Sequence, residues 1–161
     1  MNKRSLLQVV GAAALAALAM THAAAAEDVI LTIQGDVADG AHDFTDADLM
    51  ALPQITVETS TIWTEGVLTF SGPSLASLLD EIGAGDGDIT LVAINDYVVE
   101  MPRDVIEAEA PIIAARIDGE PFSVRNKGPL WVIFPYDSDE RFRAESVYAY
   151  SVWQLSGITV N

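Results

Sequence analysis

Aromatic side chains beside turns are the residues whose type and spacing suit chemistry here, and that chemistry is stacking against a flat ligand. Trp63 follows the β-branched run 54–62 and precedes Thr64-Glu65-Gly66. Tyr97 follows the turn signal Asn95-Asp96, and Trp131 lies just past Lys127-Gly128-Pro129. In 125-RNKGPLWVIFPYD-137 two cations and a Gly-Pro open an apolar run that closes on Pro-Tyr-Asp. The run reads as a structural strand, and its two ends read as a candidate site. The pleat puts Val132 and Phe134 on one side and Trp131 and Ile133 on the other. Trp153 reads as core.

Groups for covalent or metal chemistry are sparse. The chain has no cysteine, which removes any thiolate nucleophile or thiolate metal ligand. After residue 26 the one imidazole is His42, in an acidic loop, and a lone histidine does not make a three-ligand zinc site. No G-x-S-x-G elbow, P-loop or dinucleotide fingerprint occurs. Asp36, Asp39 and Asp43, and Asp86 with Asp88, lack the spacing of a calcium-binding EF-hand loop and read as solvated carboxylates.

Charge excludes other classes. With 24 acids against 8 bases the formal charge is −16, which repels nucleic acid and anionic lipid headgroups. Beyond residue 26 every base falls between Arg103 and Arg143, against the general trend.

Residues 1–26 carry the parts of a secretory signal: Lys3 and Arg4, an apolar run from Leu6 to Met20, and small residues Ala24 and Ala26. The run falls short of the roughly 20 residues that span a bilayer. The expectation is therefore a cleaved signal, a periplasmic location and no membrane insertion of the mature chain. Residues 27–161 suit one domain, long enough to bury a core without disulfides.

The elements that must position the aromatics are mostly strands. Strands are expected at 29–33, 54–62, 67–70, 89–94, 97–101, 112–117, 121–124 and 131–134, with β character again over 147–160. Thr45 and Asp48 predict a capping box before a short helix that Pro53 stops. In 72-GPSLASLLDEIG-83, Leu75, Leu78, Leu79 and Ile82 fall at helical spacing, with Pro73 suited to the first turn. A short helix is expected from Arg103. Asn95-Asp96 and Asp118-Gly119 are hairpin turn signals. Many short strands with a few short helices predict an α+β fold.

Taken in order, 63-WTEG-66, 70-FSGP-73 with Leu75 and Leu78-Leu79, 93-AINDYVVEMP-102, Asp118-Gly119, 127-KGPLWVIFPYD-137 and 151-SVWQLSGITV-160 resemble the molybdopterin-binding fold of sulfite-oxidase-type oxidoreductases. The resemblance covers almost all of residues 27–161. It is nearest to small stand-alone periplasmic members, the PruR-type pterin-binding proteins, which bind reduced pterins and report them to a membrane-bound cyclic-di-GMP enzyme. In the oxidoreductases a cysteine holds molybdenum just ahead of the segment matching Trp63. Here that place falls at Thr59, Ser60 or Thr61, and a neutral hydroxyl is a poor substitute for a thiolate. The resemblance thus implies a retained pterin site without its metal.

Given that resemblance, the residues have identifiable roles. A pterin is a flat bicycle, and stacking on Trp63 or Trp131 is worth about 1–3 kcal/mol. Its parallel N–H donors suit a carboxylate, Asp96 or Asp137. Its oxo group needs a donor, from Arg125, Asn126, Lys127 or a backbone N–H near Gly128, where the missing side chain permits close approach. Tyr97 joins the aromatic set, and Ser151 matches a family position near the cofactor. A phosphate would fall to Arg125, Lys127, Arg141 and Arg143, so a pterin without phosphate suits the acidic chain better than molybdopterin.

The expected function is a periplasmic pterin receptor that reports to a membrane signalling protein such as a cyclic-di-GMP enzyme or histidine kinase, with no catalytic residue and no metal. The alternatives are a molybdenum-cofactor oxidoreductase with a non-cysteine ligand, and an interaction domain whose ancestral pocket is filled by side chains.

Overall fold

The β-branched and aromatic runs form short strands wherever alternate residues have a core to enter. The structure is a computed structural model describing residues 27–161; the expected export signal lies outside the described residues. The strands are β1 (Val29–Gly35), β2 (His42–Thr45), β3 (Ile55–Ser60), β4 (Val67–Gly72), β5 (Ile89–Ala93), β6 (Val98–Met101), β7 (Ile112–Ala114), β8 (Arg116–Ile117), β9 (Trp131–Ile133) and β10 (Leu155–Val160). The helices are α1 (Asp46–Ala51), α2 (Leu75–Glu81) and α3 (Glu145–Tyr150), with single 3-10 turns at Arg103–Val105, Val124–Asn126 and Glu140–Arg143. The fold is α+β. No described helix is long and apolar enough to cross a membrane.

One sheet has the order β2-β1-β10-β5-β6, with β1 and β10 parallel and the other pairs antiparallel. A second runs β3-β4-β8, and β7 pairs with β9. Leu31 and Ile33, Ile89 and Leu91, and Ile158 and Val160 alternate into the core, as the pleat requires. Strand β9 is buried on both faces, with Trp131, Val132, Ile133 and Phe134 all inaccessible. Leu75, Leu78, Leu79 and Ile82 form the buried stripe of α2.

Local signals set the helix starts. Thr45 Oγ1 accepts from the Asp48 N–H, and Asp48 accepts from the Thr45 N–H, which completes the capping box of α1. Ser74, not Pro73, opens α2: its side chain accepts from the Ser77 N–H at 3.1 Å, so Pro73 stands ahead of the cap. The expected strand 121–124 is absent. Asp118 (φ 51°) and Gly119 (φ 84°) make the turn, but Asp118 bonds across to Thr69 through both its N–H and Oδ1, so β8 pairs with β4. Residues 147–150, where β character is expected, belong to the helix α3 (Glu145–Tyr150). The apolar spacing there fits either period, and Ser151 Oγ closes the helix on the Val147 carbonyl at 2.8 Å.

Three carboxylates contribute acid sensitivity to this scaffold. Asp46 accepts two bonds from Arg116 (2.8 and 2.7 Å), joining α1 to β8, and that hydrogen bonding holds its pKa below the ordinary 3.8. The Thr45 N–H does the same for Asp48, and the Ser60 N–H for Asp137. Groups with a lowered folded pKa stabilise above the unfolded value and lose that contribution as pH falls through the folded one. The thermal midpoint is therefore expected to fall below about pH 4, modestly, because Asp48 and Asp137 are exposed to screening solvent. In Asp46→Asn that acid limb is expected to be shallower, as read by calorimetry across a pH series.

Candidate functional site: an aromatic cleft

The turn after β3 is held by its own hydroxyls. Thr61 Oγ1 lies 2.8 Å from Thr64 Oγ1 and accepts from the Trp63 N–H at 3.0 Å, which fixes where the indole points. Trp63 meets four other rings, Trp131 (5.8 Å between centroids), Tyr136 (6.3 Å), Tyr148 (5.7 Å) and Trp153 (5.6 Å), edge-on or tilted. Edge-to-face packing of this kind adds to simple burial.

Beneath Trp63 the packing is closed. Trp131 is fully buried and donates from Nε1 to the Ser151 carbonyl at 3.2 Å. The Tyr136 hydroxyl donates to Ser151 Oγ at 2.6 Å, and Ser151 Oγ donates on to the Val147 carbonyl. Burial pushes the Tyr136 phenol up to about 12, so it stays a neutral donor.

Above this layer lies a cleft of about 200 Å³. Trp63, Tyr148 and Trp153 line it together with Ala93, Asn95 and Tyr97 of the β5–β6 turn. The turn is tied in place: the Ala93 N–H donates to the Tyr97 carbonyl, the Ile94 N–H to the Gln154 carbonyl, and the Tyr97 hydroxyl to the Ala149 carbonyl at 3.3 Å. Three residues with left-handed backbone stand beside the cleft-lining segments or bond to them: Asp96 (φ 64°), Lys127 (φ 72°) and Gln154 (φ 53°). The Gln154 N–H donates to the Lys127 carbonyl at 2.9 Å, and its Nε2 donates to the Val124 carbonyl at 2.8 Å. Non-glycine residues hold such angles only where surrounding bonds impose them, a pattern common around ligand clamps.

Of the residues singled out by sequence, the structure brings Trp63, Tyr97 and Ser151 to this cleft, with Asp96 in the turn between two lining residues. Trp131 is its buried support. Arg125, Asn126 and Lys127 occupy the neighbouring 3-10 turn and do not line it; Lys127 Nζ lies 5.8 Å from the Trp131 ring. Gly128 makes its close approach to the protein itself, since a Cβ there would stand 1.9 Å from the Phe122 carbonyl oxygen. Asp137 is turned to β3, accepting from the Ser60 N–H at 2.6 Å and the Ser60 hydroxyl at 2.8 Å. Arg141 is held by Glu107 and Asp139, away from the cleft. Sequence reasoning missed Asn95 and Tyr148, and it placed Trp153 in the core. The Asn95-Asp96 turn signal pointed to the first, whereas Tyr148 was hidden by the β reading of its segment.

The donor set does not fit a molybdenum cofactor. The chain has no thiolate, and the hydroxyls near the expected ligand position are used internally. Thr59 is fully buried and accepts from the Asp137 N–H at 3.1 Å, Ser60 donates to Asp137, and Thr61 pairs with Thr64. Among the described residues, no Lys or Arg lines the cleft to hold a phosphate. No family model matches the chain, and no curated protein matches its sequence.

Proposed function

We propose that this protein is a pterin-binding module, a receptor of the sulfite-oxidase-type fold that has kept the ring site and given up the metal. The observation that carries this reading is an uncharged cleft of about 200 Å³ walled by Trp63, Tyr97, Tyr148 and Trp153. Ligand pockets commonly span about 300–1,000 Å³, so this one suits a single bicyclic ring rather than a cofactor with a phosphate tail. Flat heterocycles gain most of their affinity from aromatic faces. Asn95 supplies a polar edge: its Oδ1 accepts from the Tyr97 N–H, and its amide NH₂ makes no hydrogen bond among the described residues, leaving it for a ring oxo group. Asp96, exposed in the turn between Asn95 and Tyr97 and not itself a lining residue, is the nearest carboxylate in sequence for the parallel ring donors. Export to the periplasm and reporting to a membrane signalling enzyme complete the proposal, and they rest on the apolar start of the chain and on the motif resemblance.

The test is tryptophan fluorescence of the purified protein titrated with a tetrahydropterin and with its fully oxidised form. Saturable quenching in the micromolar range is expected, stronger for the reduced ring. Unchanged emission at high micromolar concentrations of both would sink the reading. It would favour instead an interaction domain.

A further inference from the structure

Strand β3 is the longest edge strand of the described sheets, and its outer side is open. It pairs only with β4, over an unbroken register from Ile55↔Gly72 to Ser60↔Val67. Four bonds fix which of its groups point away from β4. The Ser60 N–H donates to Asp137, outside the sheet. Thr69, opposite Glu58, spends its N–H and C=O on Asp118, and the carbonyl of Ser71, opposite Thr56, accepts from Ala115. In an antiparallel pair, alternate residues present both N–H and C=O to the same side. Thr56 and Glu58 therefore turn four backbone groups outward, and none of them has a partner among the described residues. Edges are usually blunted by proline, lysine or a bulge. β3 has none of these between Ile55 and Ser60.

Alongside this edge runs a groove of about 340 Å³, lined by residues 55–58 and, opposite, by Glu107, Glu109, Arg141 and Phe142. Its charge is acidic. Glu58, Glu107 and Glu109 face it, and the guanidinium of Arg141 is already engaged by Glu107 and lies 3.5 Å from Asp139.

We propose that the open edge of β3 takes up an extended segment of a partner protein as an added strand, with basic side chains at alternate positions. Backbone pairing with Thr56 and Glu58 supplies the docking, and Glu58 and Glu109, the two groove glutamates not paired with Arg141, select the charge. Alternate residues of the segment sit on opposite faces of the sheet, so a lysine or arginine beside Glu58 alternates with an apolar residue. A second copy of this chain is the wrong occupant. Edge-to-edge pairing would set these glutamates against each other in molecules of formal charge −16. This docking site is independent of the aromatic cleft.

The probe is a fluorescently labelled peptide of alternating valine and lysine, titrated with the protein and followed by anisotropy. The control is the same peptide N-methylated at every residue, which keeps the charge and removes the pairing N–H groups from both edges. The expected result is saturable binding of the first and not the second, with protection of the Glu58 amide in hydrogen exchange. Thr56→Pro removes one outward N–H at a position where an edge strand tolerates proline, and is expected to weaken binding about tenfold. Should Thr56→Pro fail to fold, the double variant Glu58→Lys with Glu109→Lys is expected to abolish binding instead. Equal binding of the methylated peptide, no saturable binding, or unchanged affinity in a folded variant would overturn the proposal. So would self-association in sedimentation that Thr56→Pro removes.

Discussion

Trp63→Leu is expected to weaken pterin binding by between about fivefold and a hundredfold while leaving a folded protein. The range follows from base-on-aromatic stacking worth about 1–3 kcal/mol, at 1.4 kcal/mol per tenfold. Leucine keeps apolar contact with Trp131, Tyr136, Tyr148 and Trp153 but offers no ring face. Titrating wild type and variant with the tetrahydropterin by calorimetry, because an indole is lost and the reduced ring emits little, reads the effect directly. Circular dichroism and the thermal midpoint are the checks that the fold survives. Equal affinity in a folded variant would mean that the ligand lies elsewhere.

Trp131→Ala is expected to cost about 3–5 kcal/mol of stability, a large part of what holds a domain of this size together. The indole is fully buried, meets Phe70 at 5.6 Å, Trp63 at 5.8 Å and Trp153 at 6.4 Å between centroids, and donates to the Ser151 carbonyl. Its removal opens a cavity directly beneath the cleft and takes away the bond that seats Ser151. Urea unfolding should show a lower midpoint with little change in slope. Trp131→Phe keeps most of the packing and should lose much less. If Trp131→Ala unfolded at the wild-type midpoint, the layer under the cleft would not be the support described here.

The contrast between these two tryptophans shows what sequence conveys. Both sit beside chain turns, and by residue type either is a stacking platform. The difference lies in burial: β9 is enclosed on both faces, whereas Trp63 rides on a turn and remains partly open. The same holds for Asp96 and Asp137, both carboxylates next to turns. Asp137 is consumed by Ser60, 77 residues away in the chain, a partner that no local pattern announces.

Local chemistry was legible because it acts over a few residues. The Thr45–Asp48 box, the leucine stripe of α2, the strands β1 and β5, and the glycine and aspartate turns all follow from periodicity, caps and backbone preference. The lack of a thiolate is likewise a fact of composition. The cleft is different, since Trp63, Asn95, Tyr97, Tyr148 and Trp153 come from separate turns and a short helix. Their meeting depends on β10 lying beside β5, and on a helix at 145–150 where the apolar spacing fitted two periods. Sheet order and that choice of period are settled by which arrangement buries the most apolar surface across the whole chain. That sum is taken over the fold, and no window of sequence contains it.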